Sequence, residues 1–105
     1  KHHRLDNPSK SRDFICLALS VGCGVAIGID VDDAFMDLHG SAAWSGLTGP
    51  GGGHCMAALD WDSEALRVVN SWSEDWADSG LGRITWAAVT KARSVWIIDA
   101  AVCYS

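Results

Sequence analysis

The chain has 105 residues, of which 49% are hydrophobic, and it contains six Trp and eleven Gly. This length fits one small domain, and the apolar content is too high for a disordered chain. The net charge of -5 disfavours a nucleic-acid partner, which usually needs a basic face. No apolar run approaches the roughly 20 residues that a membrane-spanning helix needs, so we expect no membrane partner either.

The first residues, 1–11, are polar and basic and include Pro8. We predict that they form a flexible arm or linker and that residues 12–105 form the domain. Because the chain begins at Lys1 rather than Met, we expect either a processed chain or an upstream segment that is missing.

Residues 11–20 predict a short helix with Ser11 as its N-cap. Phe14, Leu17 and Val21 recur at helical spacing and are the expected buried stripe. Two glycines then end the helix.

The rest of the chain predicts mostly strands. The β-branched run 25–31 indicates a buried strand, and residues 32–38 indicate one helical turn. Four further strand candidates lie at 54–61, 65–70, 81–86 and 94–100, with a short helical link at 87–92. Short connections favour antiparallel pairing, so we predict an α+β fold with a sheet of about five strands.

A glycine-rich loop, 39–53, precedes the first of these four strands. Its last glycines, among them Gly52 and Gly53, suit a close backbone approach or the edge of an open cleft. Trp44 within the loop either lines that cleft or anchors the loop.

The four cysteines form no CxxC pair, which disfavours a zinc ribbon or a dithiol redox motif. Buried thiols are favoured over two disulfides, and both alternatives stay open. The cysteines are Cys16, Cys23, Cys55 and Cys103. No His, Cys or Asp cluster has the spacing of metal ligands, so we expect no metal and no cofactor.

A turn cluster at residues 60–64 predicts a hairpin between two of the strands. If this hairpin is symmetric about Asp62, His54 lies opposite Asn70. Opposed side chains on an antiparallel ladder have Cβ atoms about 4.5–5.5 Å apart. A slip of one residue would place them on opposite faces, so the predicted His54–Asn70 pair depends on this register.

An asparagine beside a histidine has a chemical use. The amide oxygen of Asn70 can accept from one ring nitrogen of His54, which presents the other nitrogen to an acidic proton. This is the orienter and base of a nucleophile–base–orienter triad, and a neutral orienter suits a thiolate–imidazolium pair. Trp72 would shield the hydrogen bond from water. A purely structural pair is the alternative interpretation.

The sequence around this pair resembles the papain-like cysteine peptidases. Residues 52–62 match the family's His strand, and residues 67–84 match its Asn-Ser-Trp segment, second Trp and Gly-containing turn into an Arg-Ile strand. The matching residues are His54, Asn70, Ser71, Trp72, Trp76, Gly80, Arg83 and Ile84. A weaker match at 17–35 resembles the helix and strand before the family's His. The resemblance covers roughly residues 12–100.

The resemblance implies a twisted antiparallel sheet or half-barrel with short helices, the C-terminal half of a papain-like fold. It implies peptide-bond hydrolysis with His54 as base and Asn70 as orienter, supported by Ser71, Trp72 and Trp76.

Several positions depart from the family. Ser73 and Ala77 replace the glycines that follow each Trp, and Leu81 replaces an aromatic residue. The family's nucleophilic Cys lies on a helix of the N-terminal half, which this chain does not contain. Cys55 is adjacent to His54 on a strand and is therefore expected to point to the other face. We expect another segment or chain to supply the nucleophile.

Two functions remain open. The first is a thiol peptidase fragment or subunit that hydrolyses a peptide or protein substrate, with its Cys supplied by the N-terminal half or a separate chain. The second is an inactive papain-like domain that serves as a structural or binding module in a larger assembly, such as a virion or a secreted complex. In both cases we expect a partner to cover an apolar face. By resemblance alone, the location is secreted, lysosome- or vacuole-like, or virion-associated.

Overall fold

The computed structural model describes residues 2–5, 12–70 and 76–98. Strands and short helices in this part match the predicted α+β class. In chain order the elements are β1 (His2–Leu5), α1 (Arg12–Ser20), β2 (Gly24–Val31), α2 (Asp33–Met36), β3 (Ala43–Trp44), β4 (Gly52–Trp61), β5 (Ala65–Val69), β6 (Leu81–Thr85), α3 (Trp86–Val89) and β7 (Ser94–Ile98).

The described strands form one seven-stranded sheet in the order β1-β7-β2-β4-β5-β6-β3. Every neighbouring pair is antiparallel except β3 with β6, which is parallel. The expected sheet was smaller because β1 and β3 are short edge strands with little strand pattern in their sequences. Residues 2–5, which lie within the expected arm, form β1, and its backbone pairs with the edge of β7.

The core lies on one face of the sheet. Odd-numbered positions of β2 are buried and even-numbered positions are partly exposed, so this strand is buried on one side only. In an antiparallel sheet such alternation separates the core face from an open face. The helix α1 covers β2 and β4 on the core side.

The buried stripe of α1 differs from the predicted one. Phe14, Leu17 and Val21 are 40%, 61% and 63% exposed, whereas Ile15 and Ala18 are buried. The helix is apolar on most of its circumference, so its sequence contains more than one stripe at helical spacing. Packing against the neighbouring strands buries the stripe that contains Ile15 and Ala18.

The hairpin turn between β4 and β5 forms around Asp62, as the sequence predicts. Its carboxylate accepts from the backbone N–H groups of Glu64 at 2.8 Å and Ala65 at 3.1 Å. It also accepts from Arg83 Nε and Nη2 on β6, both at 3.0 Å. The hydrogen bonds from Arg83 are the main reason that the pKa of Asp62 lies below its ordinary value. These contacts tie three consecutive strands together beside the turn.

The turn before β6 contains a strained alanine. Ala77 has φ +50°, in the left-handed region that favours glycine. We expect Ala77→Gly to stabilise the chain by about 0.5–1 kcal/mol, because it removes this strain. Thermal unfolding measures the change. The matched control is Ala87→Gly on the exposed side of α3, which should destabilise by about 0.5–1 kcal/mol. Destabilisation by both substitutions would contradict the strain argument.

Candidate functional site

The imidazole of His54 meets the side-chain amide of Asn70. His54 Nε2 lies 2.9 Å from Asn70 Oδ1, the length of a good hydrogen bond. His54 is half-buried on β4, and Asn70 directly follows β5 and is only 6% exposed. Cys55 is exposed, consistent with the opposite face of β4. The two residues singled out in the sequence therefore do come together.

The strand register that joins them differs from the predicted one. Ala57 pairs with Val69, so continuing this ladder places Asn70 opposite Met56 rather than opposite His54. Beside the turn, the pairs Asp60–Arg67 and Trp61–Leu66 are three residues away from the predicted register. The extra residue of β4 between Ala58 and Asp60 reduces this shift to two. A two-residue shift keeps both side chains on one face, and such diagonal neighbours are within reach of long side chains.

The hydrogen bond determines the tautomer of His54. A carbonyl oxygen of an amide only accepts, so Nε2 carries the proton and donates to Asn70. In the neutral ring the lone pair is then on Nδ1, which is the nitrogen that can take a proton. The pair thus has the chemistry of a base and its orienter.

Asn70 is held at the end of its strand. Its backbone N–H donates to Gly80 O at 3.4 Å, which links the end of β5 to the turn before β6. Its buried side-chain Nδ2 meets no hydrogen-bond acceptor among the described residues. Within the described residues, the bond to His54 is therefore the contact that sets the orientation of the amide.

An aromatic cluster lies behind the pair. Phe35 is fully buried, with ring centroids 6.4 Å from His54, 5.3 Å from Trp44 and 5.0 Å from Trp76. Trp76, named from the sequence as a supporting residue, is 6% exposed and donates from Nε1 to Phe35 O at 3.0 Å. The side of Trp76 covers Gly82, where an added Cβ would lie 2.2 Å from the ring.

A buried carboxylate, Asp32, organises the segments around this cluster. It caps α2 by accepting from Phe35 N at 3.1 Å, and it accepts from Trp44 Nε1 at 2.9 Å and from Thr48 N at 2.9 Å. The hydrogen bond from the Thr48 amide is the largest cause that lowers the pKa of Asp32 below its ordinary value. One side chain thereby joins α2, β3 and the glycine-rich loop that leads into the His54 strand.

Neutralising Asp32 should loosen this junction. We expect Asp32→Asn to lower the thermal unfolding midpoint by about 5–10 °C at pH 7, because a charge-assisted set of hydrogen bonds is lost. The lowered pKa sets the pH dependence. The contribution of the carboxylate is complete above the unfolded-state pKa of about 3.9 and disappears as the pH falls through the folded-state value.

The midpoint difference between the two proteins should therefore be constant above about pH 5 and shrink below about pH 4. The control is Asp37→Asn, an exposed residue at the end of the same helix, which should change the midpoint by no more than about 2 °C. A difference that persists undiminished at low pH would show that the charge of Asp32 is not the cause.

Two shallow depressions border the pair. One, of about 280 Å³, is lined by Gly53, His54 and Cys55 together with residues of β2 and β7. The other, of about 420 Å³, is lined mainly by small and apolar side chains and also reaches Cys55 and Asn70. Cys55 and Ala57 alternate with His54 along β4, and Val69 pairs with Ala57, so the larger depression lies on the face opposite the side chains of His54 and Asn70. The smaller depression is the one that His54 itself lines.

The other predicted site residues have mixed placements. Gly53 lines the first depression, and Gly52 is exposed at the start of β4. Trp44 is buried and bonded to Asp32, so it anchors the loop. Ser71 and Trp72 lie outside the described residues.

None of the described cysteines is placed as a nucleophile for His54. Cys16, Cys23 and Cys55 are free thiols. Burial is the main cause that raises the pKa of the Cys16 thiol, which disfavours the reactive thiolate. Cys103 lies outside the described residues.

Sequence reasoning missed two residues of the site. Asp32 is the first residue of the predicted helical turn, and an Asp at the start of a helix is an N-cap signal. Phe35 lies in the same turn, but no periodicity shows that its ring reaches a histidine on a strand 19 positions later. Only the tertiary arrangement brings Phe35 to His54.

Comparison with known proteins shows where this fold recurs. No protein-family model and no curated protein matches the sequence. Among solved structures, the Carica candamarcensis cysteine protease CMS1MS2 superposes with a TM-score of 0.70 at 17% identity, over 90% of this chain and 46% of that one. Bromelain from Ananas comosus gives 0.67 at 18% identity, over 92% and 49%. Xylellain, a cysteine protease from Xylella fastidiosa, gives 0.72 at 18% identity, over 94% and 39%.

The fold is papain-like. The chain spans less than half the length of these proteases, as expected for a part of a papain-like fold. At this level of identity the likeness concerns the fold, and the chemistry of the papain-like site has to be argued from the residues.

Two further observations concern the described part of the chain. No helix there has the length and apolarity to cross a membrane. Nor do three His, Cys, Asp or Glu side chains come together there as a group that could hold a metal ion.

Proposed function

We propose that this chain supplies the base and the orienter of a papain-like thiol peptidase, with the nucleophilic Cys contributed by another segment or chain. The observation that carries the proposal is the hydrogen bond of 2.9 Å between His54 Nε2 and Asn70 Oδ1. The papain-like fold of the chain supports it, since these proteases hold such a site between two halves.

In the proposed reaction, Nδ1 of His54 takes the proton of the incoming thiol and forms a thiolate–imidazolium pair. The thiolate attacks the carbonyl carbon of the scissile peptide bond, and the imidazolium then gives its proton to the leaving amine. Asn70 keeps the ring oriented through both transfers because Oδ1 accepts from Nε2 in either protonation state. A neutral amide does this without adding a charge beside the ion pair.

The proposed partner reaches the pair at the smaller depression, which is lined by Gly53 and His54. The larger apolar depression, with exposed Val69, lies on the opposite face of β4 and β5 and is not part of this boundary. A peptide substrate would then lie along the boundary between the two parts.

Covalent labelling with E-64 tests this proposal. E-64 is bound in two of the compared proteases. The product of the complete coding sequence, or the chain in its native complex, is treated with E-64, and the labelled residue is located by mass spectrometry. We expect one labelled Cys other than Cys16, Cys23 and Cys55, and loss of labelling in His54→Ala. Absence of any label would favour the inactive structural or binding module instead.

A further inference from the structure

Phe35 lies behind the imidazole of His54. Its ring is fully buried and stands at 60° to the imidazole plane, with centroids 6.4 Å apart, within the range of edge-to-face aromatic pairs. Because a buried ring in a close-packed core has little freedom to move, Phe35 forms a fixed wall at this side of His54.

The backbone of Phe35 is fastened at both of its polar groups. Its N–H donates to the capping carboxylate of Asp32 at 3.1 Å, and its C=O accepts from Trp76 Nε1 at 3.0 Å. Its ring is also flanked by Trp44, at an interplanar angle of 79°. The position of the Phe35 ring is therefore set by three different segments of the chain.

A hydrogen bond through Nε2 alone does not fix an imidazole. The bond to Asn70 defines where one ring atom lies, while the ring can still tilt about that atom and rotate about its side-chain torsions. A rigid surface against the ring removes these motions. The ring of Phe35 contacts that of His54, so Phe35 can supply such a surface.

We propose that Phe35 is a positioning residue for His54. Its ring keeps the imidazole in the plane in which Nε2 meets Asn70, and the Asp32 cap and Trp76 hold Phe35 in place to do so. The orientation of His54 follows from the structure itself, whereas its benefit to peptide hydrolysis rests on the function proposed above.

Nitrogen-15 NMR of the full chain tests the proposal without any cysteine partner or substrate. In the wild type we expect cross-relaxation between ring protons of Phe35 and His54, and ¹⁵N shifts of a ring held with its proton on Nε2. In Phe35→Leu we expect the Nδ1 and Nε2 shifts to converge and the Nε2 proton to exchange with solvent about tenfold faster, as loss of one hydrogen bond implies.

The matched control is Val95→Ala, a fully buried residue of β7, which lowers stability but leaves the Phe35 wall in place. We expect its His54 shifts and exchange rate to equal those of the wild type. If Phe35→Leu does not fold, Phe35→Met replaces it, since Met is of similar size and adapts to irregular gaps.

The proposal is overturned if wild-type ring protons of Phe35 and His54 show no cross-relaxation, or if the folded Phe35 variant keeps wild-type ¹⁵N shifts and exchange. An inactive assembly would count against the peptidase and leave these spectra unaffected. A change confined to the spectra, with full peptidase activity, would show that the wall exists but is not needed for hydrolysis.

Discussion

Replacement of His54 by alanine should lower kcat/KM for peptide hydrolysis by about 10³–10⁴-fold in the assembled protein. In the proposed reaction, the substitution removes the group that would accept the thiol proton and later protonate the leaving amine. Both steps then depend on water, which is a poor base and a poor acid at neutral pH. Initial rates with a fluorogenic peptide measure the loss.

The matched control is another histidine, His39, which is exposed and contacts Ala77 only through a backbone bridge in the described structure. His39→Ala should change kcat/KM by less than about twofold. Asn70→Ala should act in the same direction as His54→Ala but more weakly, by about tenfold, because one orienting hydrogen bond is lost. Equal activity of the His54 and His39 variants would contradict the proposed role of His54 as the base.

Replacement of Gly82 by alanine, which adds one methyl group, should destabilise the packing behind the site. A Cβ at this position would lie 2.2 Å from the ring of Trp76, far inside van der Waals contact. Trp76 is buried and tied to Phe35 O, so it cannot swing aside without losing its hydrogen bond and its packing. We expect Gly82→Ala to cost about 2–3 kcal/mol and to lower the unfolding midpoint by about 10–20 °C.

Gly49→Ala is the control for the methyl group itself. Nothing lies within 4 Å of a Cβ at Gly49, so this variant should stay within about 0.5 kcal/mol of the wild type. Differential scanning calorimetry of both variants compares the two positions. Similar midpoints for the two would mean that Trp76 does not pack over Gly82.

The elements of the fold follow well from local pattern. The run at Val25–Val31, the turn at Asp62 and the strands on both sides of that turn carry strong β and turn signals, and the structure has each of them. Strands β1 and β3 have no such signal. They exist because the edges of the sheet offer unpaired backbone groups, and this is a tertiary effect that a window of sequence does not contain.

The sequence predicted which two residues form the candidate pair, but it predicted their geometry only in part. Side chains on a strand alternate between faces with a period of two, so a register error of two residues leaves His54 and Asn70 on the same face. The predicted register was therefore wrong, but the predicted neighbours were right. The irregularity between Ala58 and Asp60, which reduces the shift from three residues to two and so keeps the pair on one face, has no clear sequence mark. The sequence pattern therefore predicted that His54 and Asn70 share a face of the sheet. Only the structure shows that they are diagonal rather than directly opposed neighbours.

Contacts between distant segments were beyond reach of the sequence. Asp32 accepts hydrogen bonds from Trp44 and Thr48, and Phe35 reaches His54 and Trp76, yet none of these pairs shares an element. A buried carboxylate is stable only when donors surround it, and those donors come from loops whose paths have no periodicity. For the same reason the buried stripe of α1 was misassigned.

The two functional hypotheses differ in the state of one thiol. A cysteine paired with an imidazolium exists as thiolate well below the ordinary thiol pKa of about 8.5, whereas a cysteine in an inactive module titrates normally. The pair His54–Asn70 would be present in both cases, so its geometry does not separate them. The reactivity of the supplied cysteine does.

The most direct measurement is the rate at which iodoacetamide alkylates that cysteine in the assembled protein, followed from pH 4 to pH 9 by mass spectrometry. Our account predicts rapid alkylation that persists at least about two pH units below 8.5, and a return to an ordinary thiol profile in His54→Ala. An ordinary profile in the wild type, unchanged by His54→Ala, would contradict the claim that His54 and Asn70 form the base and orienter of a thiol peptidase.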